Sequence, residues 1–132
     1  MKFSIKTVFF FALFFISCSN EPIGLWDDNI RLSVKNAAFS ADGDSLTIKT
    51  VGSGWWIKDI EMKKQAVWFI NPASTDSMHY SINLDSIFVE HSDNTTLVVK
   101  ADKNKFKAER QIDIILEDGD YFDYVTITQK GH

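Results

Sequence analysis

Apolar residues recur at every second position along most of the chain, which is the pattern of a strand with one buried face. The alternating apolar positions are Ile30, Leu32 and Val34; Leu46 and Ile48; Met78, Tyr80, Ile82 and Leu84; Leu97, Val99 and Ala101; Ile112, Ile114 and Leu116; and Val125 and Ile127. Short strands that follow one another at intervals of about 8–12 residues are typical of an antiparallel sandwich or barrel. The pattern therefore predicts an all-β domain.

Turn-forming residues separate these segments, and two of the turns contain an Asp-Gly pair. We expect Asp42-Gly43-Asp44 and Asp118-Gly119-Asp120 to be hairpin turns, because Asp tolerates unusual backbone angles and Gly adopts positive φ. A calcium loop or a pair of hydrolase carboxylates is the alternative, but calcium requires about six to eight oxygen ligands at defined spacing. In segment 59–68, Lys63 and Lys64 interrupt the apolar stripe of a helix, which favours a strand, a turn and another strand.

The beginning of the chain has the pattern of an export signal. Lys2 and Lys6 precede nine apolar residues, 8–16, and small residues follow at the single cysteine, Cys18. The apolar run is too short to span a bilayer, which needs about twenty residues. Phe15-Ile16-Ser17-Cys18 resembles a bacterial lipobox, which implies cleavage before Cys18 and acylation of that cysteine. We expect a signal peptide at 1–17, a lipidated cysteine and tether at 18–29, and a folded domain at 30–132.

Charge and cysteine content narrow the range of functions. The chain carries 14 basic and 18 acidic residues, a net charge of −4, and loss of the two lysines in the signal lowers this to −6. A mixed acidic surface lacks the clustered basic footprint of a nucleic-acid-binding protein. Acylation of Cys18 would leave no thiol for a disulfide, for catalysis or for a metal. We expect no cofactor and no nucleic-acid partner.

The C-terminal third carries a more specific motif. A hydrophobic strand over 97–101 precedes Asn104, and Arg110 follows six residues later at the start of the next strand. A turn with Gly119 comes next, and the chain closes with Val125-Thr126-Ile127-Thr128-Gln129-Lys130-Gly131. This arrangement resembles the C-terminal half of a BACON domain, the immunoglobulin-like module named as Bacteroidetes-associated, carbohydrate-binding and often N-terminal. Gly54-Trp55-Trp56-Ile57 is similar to that family's first tryptophan strand, whereas residues 61–86 depart from its pattern.

The resemblance implies an immunoglobulin-like antiparallel β-sandwich of about seven or eight strands. It also implies either a carbohydrate-binding role or a role as a spacer, in a group whose members are often outer-membrane lipoproteins. Asn104, Arg110 and Gln129 match the family motif, and we expect structural roles for them: the Asn sets a turn, the Arg braces carbonyls or an acid, and the Gln amide satisfies a strand end.

Aromatic residues are the candidate carbohydrate-binding residues, because sugars stack their apolar faces on exposed rings. Trp55 and Trp56 are consecutive, so a strand directs them to opposite faces, one into the core and one outward. The same reasoning applies to Tyr121 and Phe122. We name Trp55, Trp56 and Tyr121 as candidates. The alternative is that these rings fill the core or pack under a loop.

The remaining chemical signals are weaker. His79 lies on the polar face of a predicted strand and His91 near a turn, with no spacing of the kind that binds zinc. No G-x-S-x-G motif is present. Asp76-Ser77-Met78 resembles an Asp-Ser/Thr-aliphatic O-glycosylation sequon, which makes Ser77 a candidate modification site.

Together these features predict a non-enzymatic lipoprotein of the cell envelope, held in the outer membrane by lipid on Cys18, at the cell surface or on the periplasmic face. We expect a binding or accessory module with glycan as its leading ligand. The alternative is a structural spacer or a protein–protein interaction module that pairs through an exposed edge strand.

Overall fold

The computed structural model describes residues 27–63, 67–70 and 79–132, and these residues form nine β-strands. The strands are Asn36–Phe39 (β1), Asp44–Lys49 (β2), Trp56–Lys63 (β3), Val67–Ile70 (β4), Tyr80–Leu84 (β5), Ile87–Asp93 (β6), Thr96–Ala101 (β7), Arg110–Asp118 (β8) and Tyr121–Gln129 (β9). The described part of the chain contains no helix, and so none that could cross a membrane.

The strands form two sheets that face each other. One sheet has five strands in the order β1-β9-β8-β3-β4, and the other has four in the order β2-β7-β6-β5. Every pairing is antiparallel except that of β1 with β9, which is parallel. This confirms the predicted all-β, immunoglobulin-like sandwich. The described residues form nine strands, whereas the sequence predicts seven or eight.

The core lies between the two sheets and is built from the alternating positions of the strands. In β8 and β9 the inward side chains are fully buried, and in β2 and β7 the facing residues are buried as well. The members of the core from these four strands are Ile48, Leu97, Val99, Ala101, Ile112, Ile114, Leu116, Val125 and Ile127. Most are β-branched, which suits a pleated surface with one buried face. The segment 59–68 also forms two strands, as predicted.

The first strand begins later than the sequence pattern predicts. Residues 30–34 are irregular, although Ile30 is fully buried and both Leu32 and Val34 pack against the core. Arg31 adopts a φ of 52°, in the left-handed region, and its backbone N–H donates to Asp28 Oδ1 at 2.7 Å. A strand cannot continue through that conformation. The alternating apolar residues of this segment are therefore buried, but the segment is not a strand.

A second difference concerns β6, which the alternation did not reveal. Ile87, Val89 and His91 face the core, but Phe88 on the opposite face is also large and apolar, so polar and apolar positions do not alternate. His91 lies three residues before the β6–β7 turn, as the sequence interpretation placed it, but it is a buried member of the strand. Its ring stacks on Tyr80, with ring centres 5.2 Å apart.

Of the two Asp-Gly turns, one is a hairpin and the other is not. Gly119 has a φ of 60° in the tight turn between β8 and β9, as predicted. Gly43 has a φ of 109°, but it connects β1 of one sheet to β2 of the other. A Cβ at Gly43 would lie 2.7 Å from the Ala101 carbonyl oxygen, so this crossing requires both the backbone freedom and the small size of glycine.

A buried polar network joins the two sheets at one end of the sandwich. The Gln129 amide at the end of β9 donates from Nε2 to the carbonyls of Ser40, at 3.0 Å, and Asp102, at 2.9 Å. Its Oε1 accepts from Arg110 Nε at 2.8 Å. Arg110 Nη1 donates to Ser86 Oγ at 2.8 Å, and burial lowers the pKa of this guanidinium. Gln129 thus has the predicted role, whereas Arg110 hydrogen-bonds to two side chains and not to carbonyls, and the charge of Asp102 acts on it.

Asn104 organises the loop between β7 and β8, as expected. The side chain is fully buried, and Nδ2 donates to the carbonyls of Ala108 and Lys130, both at 3.0 Å. Oδ1 accepts from the backbone N–H of Phe106 at 3.1 Å. One side chain therefore fixes both ends of a tight loop against the end of β9.

We predict that Gln129→Leu lowers the free energy of unfolding by about 2–4 kcal/mol, because two carbonyls and Arg110 Nε lose their buried partner. Chemical denaturation at neutral pH measures this. The control is Thr128→Val on the opposite face of the same strand, which we expect to change stability by less than about 0.5 kcal/mol. Equal effects of the two substitutions would contradict a bridging role for Gln129.

Candidate functional site

The outer face of the five-stranded sheet brings together aromatic and charged residues from three neighbouring strands. In register, Trp56 of β3 lies opposite Glu117 of β8, which in turn lies opposite Phe122 of β9. The next outward row contains Asp59, Ile115 and Tyr124. Their neighbours along each strand, such as Ile57, Leu116 and Val125, are buried in the core, so these two rows face away from it.

A β-bulge adds a cation to this face. The register between β3 and β8 shifts between Ile57 and Asp59, which makes Lys58 the extra residue. The Lys58 ammonium lies 2.9 Å from Glu117 Oε2. Bulges commonly redirect a side chain in this manner. The resulting ion pair is placed between the rings of Trp56 and Phe122.

The rings of this face are accessible. Phe122 is 43% exposed and Tyr124 is 52% exposed, while Trp56 is half-buried. Neighbouring strands lie about 4.8 Å apart, so the backbones of Trp56 and Phe122 are separated by about 10 Å across β8. We call the set Trp56, Lys58, Ile115, Glu117, Phe122 and Tyr124 the aromatic face.

The aromatic face combines two kinds of contact. Its rings and Ile115 offer an apolar surface, and the half-exposed Lys58 ammonium, paired with the mostly buried Glu117 carboxylate, offers hydrogen-bond donors in the middle of it. A ligand with an apolar surface and a hydroxyl-bearing edge would satisfy both. Because the residues lie on paired strands, their spacing is set before any ligand arrives, which lowers the entropic cost of binding.

Trp55 does not belong to this face, which corrects its choice as a carbohydrate-binding candidate. Its side chain is 3% exposed, and Nε1 donates to Thr50 Oγ1 at 2.9 Å and to the Gly52 carbonyl at 3.1 Å. Its ring meets His91 edge-on, with centres 4.2 Å apart. A ring packed in this way cannot stack on a ligand from solvent. Trp56 is the outward member of the pair.

The structure also corrects the choice of Tyr121 as a carbohydrate-binding candidate. It packs against the core, half-buried, and its hydroxyl bonds to Asp28. Burial, followed by that hydrogen bond and the charge of Asp123, raises the pKa of Tyr121 to about 12. Phe122 is the outward member of this pair. The parity of Val125 and Ile127, both predicted to face inward, was the signal that could have identified Phe122 and Tyr124 as outward residues.

An ionic cluster beside Tyr121 docks the N-terminal segment onto β9. The Lys35 ammonium lies 2.8 Å from Asp123 Oδ2 and 3.2 Å from Asp28 Oδ2. These carboxylates raise the pKa of Lys35, Asp123 contributing most, and the backbone bond from Arg31 lowers the pKa of Asp28. Residue 27 is therefore held at the end of the sandwich that contains the β8–β9 turn.

Two of the sequence-based candidates, Cys18 and Ser77, lie outside the described residues. Across the described ranges there is no group of three or more His, Cys, Asp or Glu side chains that could hold a metal ion.

Comparison with known proteins identifies the fold. No protein-family model matches the chain, and no curated protein matches it. The NMR structure of a protein from Bacteroides thetaiotaomicron is similar, with a TM-score of 0.65 and 20% identity over 85% of this chain and 94% of that one. A Bacteroides ovatus GH5 xyloglucanase, solved with a XXXG heptasaccharide, matches with a TM-score of 0.46 and 17% identity over 76% of this chain. The chain spans 19% of that enzyme's length.

We predict opposite outcomes for the two adjacent tryptophans. Trp55→Ala should lower the free energy of unfolding by about 3–5 kcal/mol, because it leaves a cavity in the core. Trp56→Ala should lower it by less than about 2 kcal/mol, because its ring is only half-buried. Chemical denaturation of both variants measures the difference. Similar losses would contradict the assignment of Trp56 to the outer face.

We also predict that Tyr121 controls stability at alkaline pH. Folding raises its pKa from 10.0 to about 12, so its contribution is complete below pH 10 and is lost as the pH rises towards about 12. Tyr121→Phe should therefore flatten the fall in the free energy of unfolding across this range. The exposed Tyr124→Phe is the control and should keep the steeper fall. An unchanged slope in Tyr121→Phe would contradict this role.

Proposed function

We propose that this protein is a non-enzymatic binding module of the BACON type that holds carbohydrate on the aromatic face. The observation that carries the proposal is the row formed by Trp56, Glu117 and Phe122, with Tyr124 in the next row. Three accessible rings around one ion pair, on a sheet surface where water would otherwise favour polar side chains, suit a ligand that is partly apolar and rich in hydroxyl groups.

The shape of the aromatic face indicates an extended ligand. The face is the surface of a sheet and its rings are spread over β3 and β9 with β8 between them. A single small sugar would contact one ring, whereas a polymer lying across the strands would contact Trp56 and Phe122 together. Lys58 would then hydrogen-bond to hydroxyls between the two rings. The ligand proposed for this face is accordingly a neutral polysaccharide.

The position of the chain in the cell envelope is the second part of this proposal. The lipobox-like residues 15–18 support acylation of Cys18, and residues 18–29 would serve as the tether to the outer membrane. The domain would receive that tether at residue 27, beside Asp28 and Lys35, at the β8–β9 end. The aromatic face would remain accessible to polymers near the membrane, on whichever side of it the protein lies.

A protein-interaction module is the alternative, and one observation favours it. β5 stands at the edge of the four-stranded sheet and pairs only with β6 among the described strands. The opposite edge, β2, is less available: Ser33 exchanges hydrogen bonds with Lys49, and Asp44 accepts from the Ser45 N–H. In the four-stranded sheet, a partner strand would therefore add to β5 and not to β2.

The proposal is tested by affinity electrophoresis in native gels that contain neutral plant and host polysaccharides. We expect retardation of the wild-type protein in at least one gel, and about five- to tenfold weaker binding for Trp56→Ala and for Phe122→Ala. Val51→Ala is the control, because Val51 is an exposed apolar residue, 69% accessible, that lies outside the aromatic face. This control should bind like the wild type.

Two outcomes would contradict the proposal. One is the absence of retardation by every neutral polysaccharide, and the other is retardation that Trp56→Ala and Phe122→Ala leave unchanged. In the first case, capture of partners from the membrane fraction, with a variant that carries Ile82→Pro in β5 as the comparison, tests the protein-interaction alternative.

A further inference from the structure

The loop between β7 and β8 is a second exposed feature, at the opposite end of the sandwich from residue 27. β8 runs from Arg110, directly after this loop, to Asp118 at the far turn, a distance of about 30 Å for its nine residues. The aromatic ring of Phe106 is 57% exposed in this loop. We call residues 102–109 together with Lys130 the Phe106 loop.

The exposed ring is held on a rigid base. The Phe106 N–H donates to Asn104 Oδ1 at 3.1 Å, and the Phe106 carbonyl accepts from the His132 N–H at 3.0 Å. Gly131 passes so close that a Cβ there would lie 1.9 Å from the Lys107 carbonyl oxygen. Because the backbone holds the ring in one place, a ligand that stacks on it would lose little entropy in ordering the loop.

Four exposed lysines belong to the Phe106 loop: Lys103, Lys105, Lys107 and Lys130. None of them forms an ion pair with another described residue, whereas the other lysines with described side chains all have partners. Those are Lys35 with Asp28 and Asp123, Lys49 with Thr96, Lys58 with Glu117, and Lys100 over the ring of Phe88. The acids at this end are Asp42, Asp44, Asp85, Asp102 and Glu109, and none of them forms an ion pair with these four lysines. The charge of Asp102 acts on buried Arg110.

We propose that the Phe106 loop binds a linear acidic polysaccharide, with the ring of Phe106 stacked on a sugar and the lysines paired with its carboxylate or sulfate groups. The unpartnered positive charges stand out on a chain whose net charge is −4. Three of them, at 103, 105 and 107, lie within five residues of the same loop, so a ligand with several negative charges could pair with more than one of them. This site is separate from the aromatic face and does not depend on it.

The geometry favours a polysaccharide over the two other anionic partners. A membrane to which Cys18 anchors the protein would lie at the other end of the sandwich, and one ring offers little apolar area for insertion into a bilayer. A stable protein interface needs about 800 Å² from each partner, more than one narrow loop supplies. A polymer can bind such a loop through one ring and a few charges.

The test is affinity electrophoresis of the purified protein in native gels that contain polygalacturonate, with dextran as the neutral comparison. We expect retardation by polygalacturonate that weakens as salt is added. Lys105→Glu with Lys107→Glu should weaken binding about tenfold or more. The control is Lys49→Glu with Lys100→Glu, which changes the net charge equally on the four-stranded sheet and should retain most of the binding. Thermal denaturation checks that both double variants are folded.

Phe106→Ala separates a stacked sugar from simple charge attraction. We expect it to bind polygalacturonate about fivefold more weakly, and Phe106→Tyr to restore binding. Three results would overturn the proposal: no retardation by polygalacturonate, equal losses in the two lysine double variants, or displacement by polyglutamate at the same concentration as free polygalacturonate with no effect of Phe106→Ala. Variants of the aromatic face should bind polygalacturonate normally, so this test and that of the proposed function fail independently.

Discussion

The buried amide of Gln129 is the interaction on which the arrangement of this end of the sandwich depends. It receives a hydrogen bond from Arg110 and donates to the Ser40 and Asp102 carbonyls, so it joins the ends of β8 and β9 to the points where the chain enters and leaves the four-stranded sheet. Each of these groups would be costly to bury without a partner. The network is complete only when both sheets are in their final register, which makes it specific to this fold.

The same network places the Phe106 loop. Arg110 follows the loop and Gln129 precedes Lys130, so the two residues that bridge the sheets also fix the base from which the loop projects. At the other end, the ion pairs of Lys35 and the hydroxyl of Tyr121 hold the N-terminal segment. β8 connects the two ends and contributes Ile115 and Glu117 to the aromatic face between them. A rigid sandwich thus keeps a charged loop, an aromatic surface and residue 27 at fixed separations.

The inward half of this fold was readable from sequence, because one strongly buried face produces regular alternation. Ile112, Ile114 and Leu116 were assigned correctly for that reason, and so were Val125 and Ile127. The sequence-based predictions that were wrong failed for physical reasons. Phe88 is apolar on the outer face and concealed β6, while Arg31 interrupts a segment whose apolar residues are nonetheless buried. The turn at Gly43 connects two different sheets, and its local sequence does not distinguish such a connection from a hairpin turn.

The candidate site was less predictable than the fold, because alternation shows only which residues of one strand share a face of the sheet. Alternation placed Trp55 and Trp56 on opposite faces, and likewise Tyr121 and Phe122. It did not show that Trp56, Phe122 and Tyr124 lie in neighbouring rows, because that depends on the pairing of β3, β8 and β9. The extra residue at Lys58 and its contact with Glu117 depend on a bulge that the sequence does not reveal. The exposure of Phe106 similarly depends on Asn104, whose contacts are made across the loop.

The most direct test of the aromatic face is a two-dimensional NMR titration of the four tryptophan indole N–H groups with neutral oligosaccharides of the cello, xylo and manno series. The account predicts that the Trp56 indole signal shifts in at least one titration, together with the backbone amides of Phe122 and Tyr124. The Trp55 signal, whose indole N–H is bonded to Thr50 in the core, should stay in place. Shifts confined to residues outside β3, β8 and β9, or no shift with any series, would contradict the account.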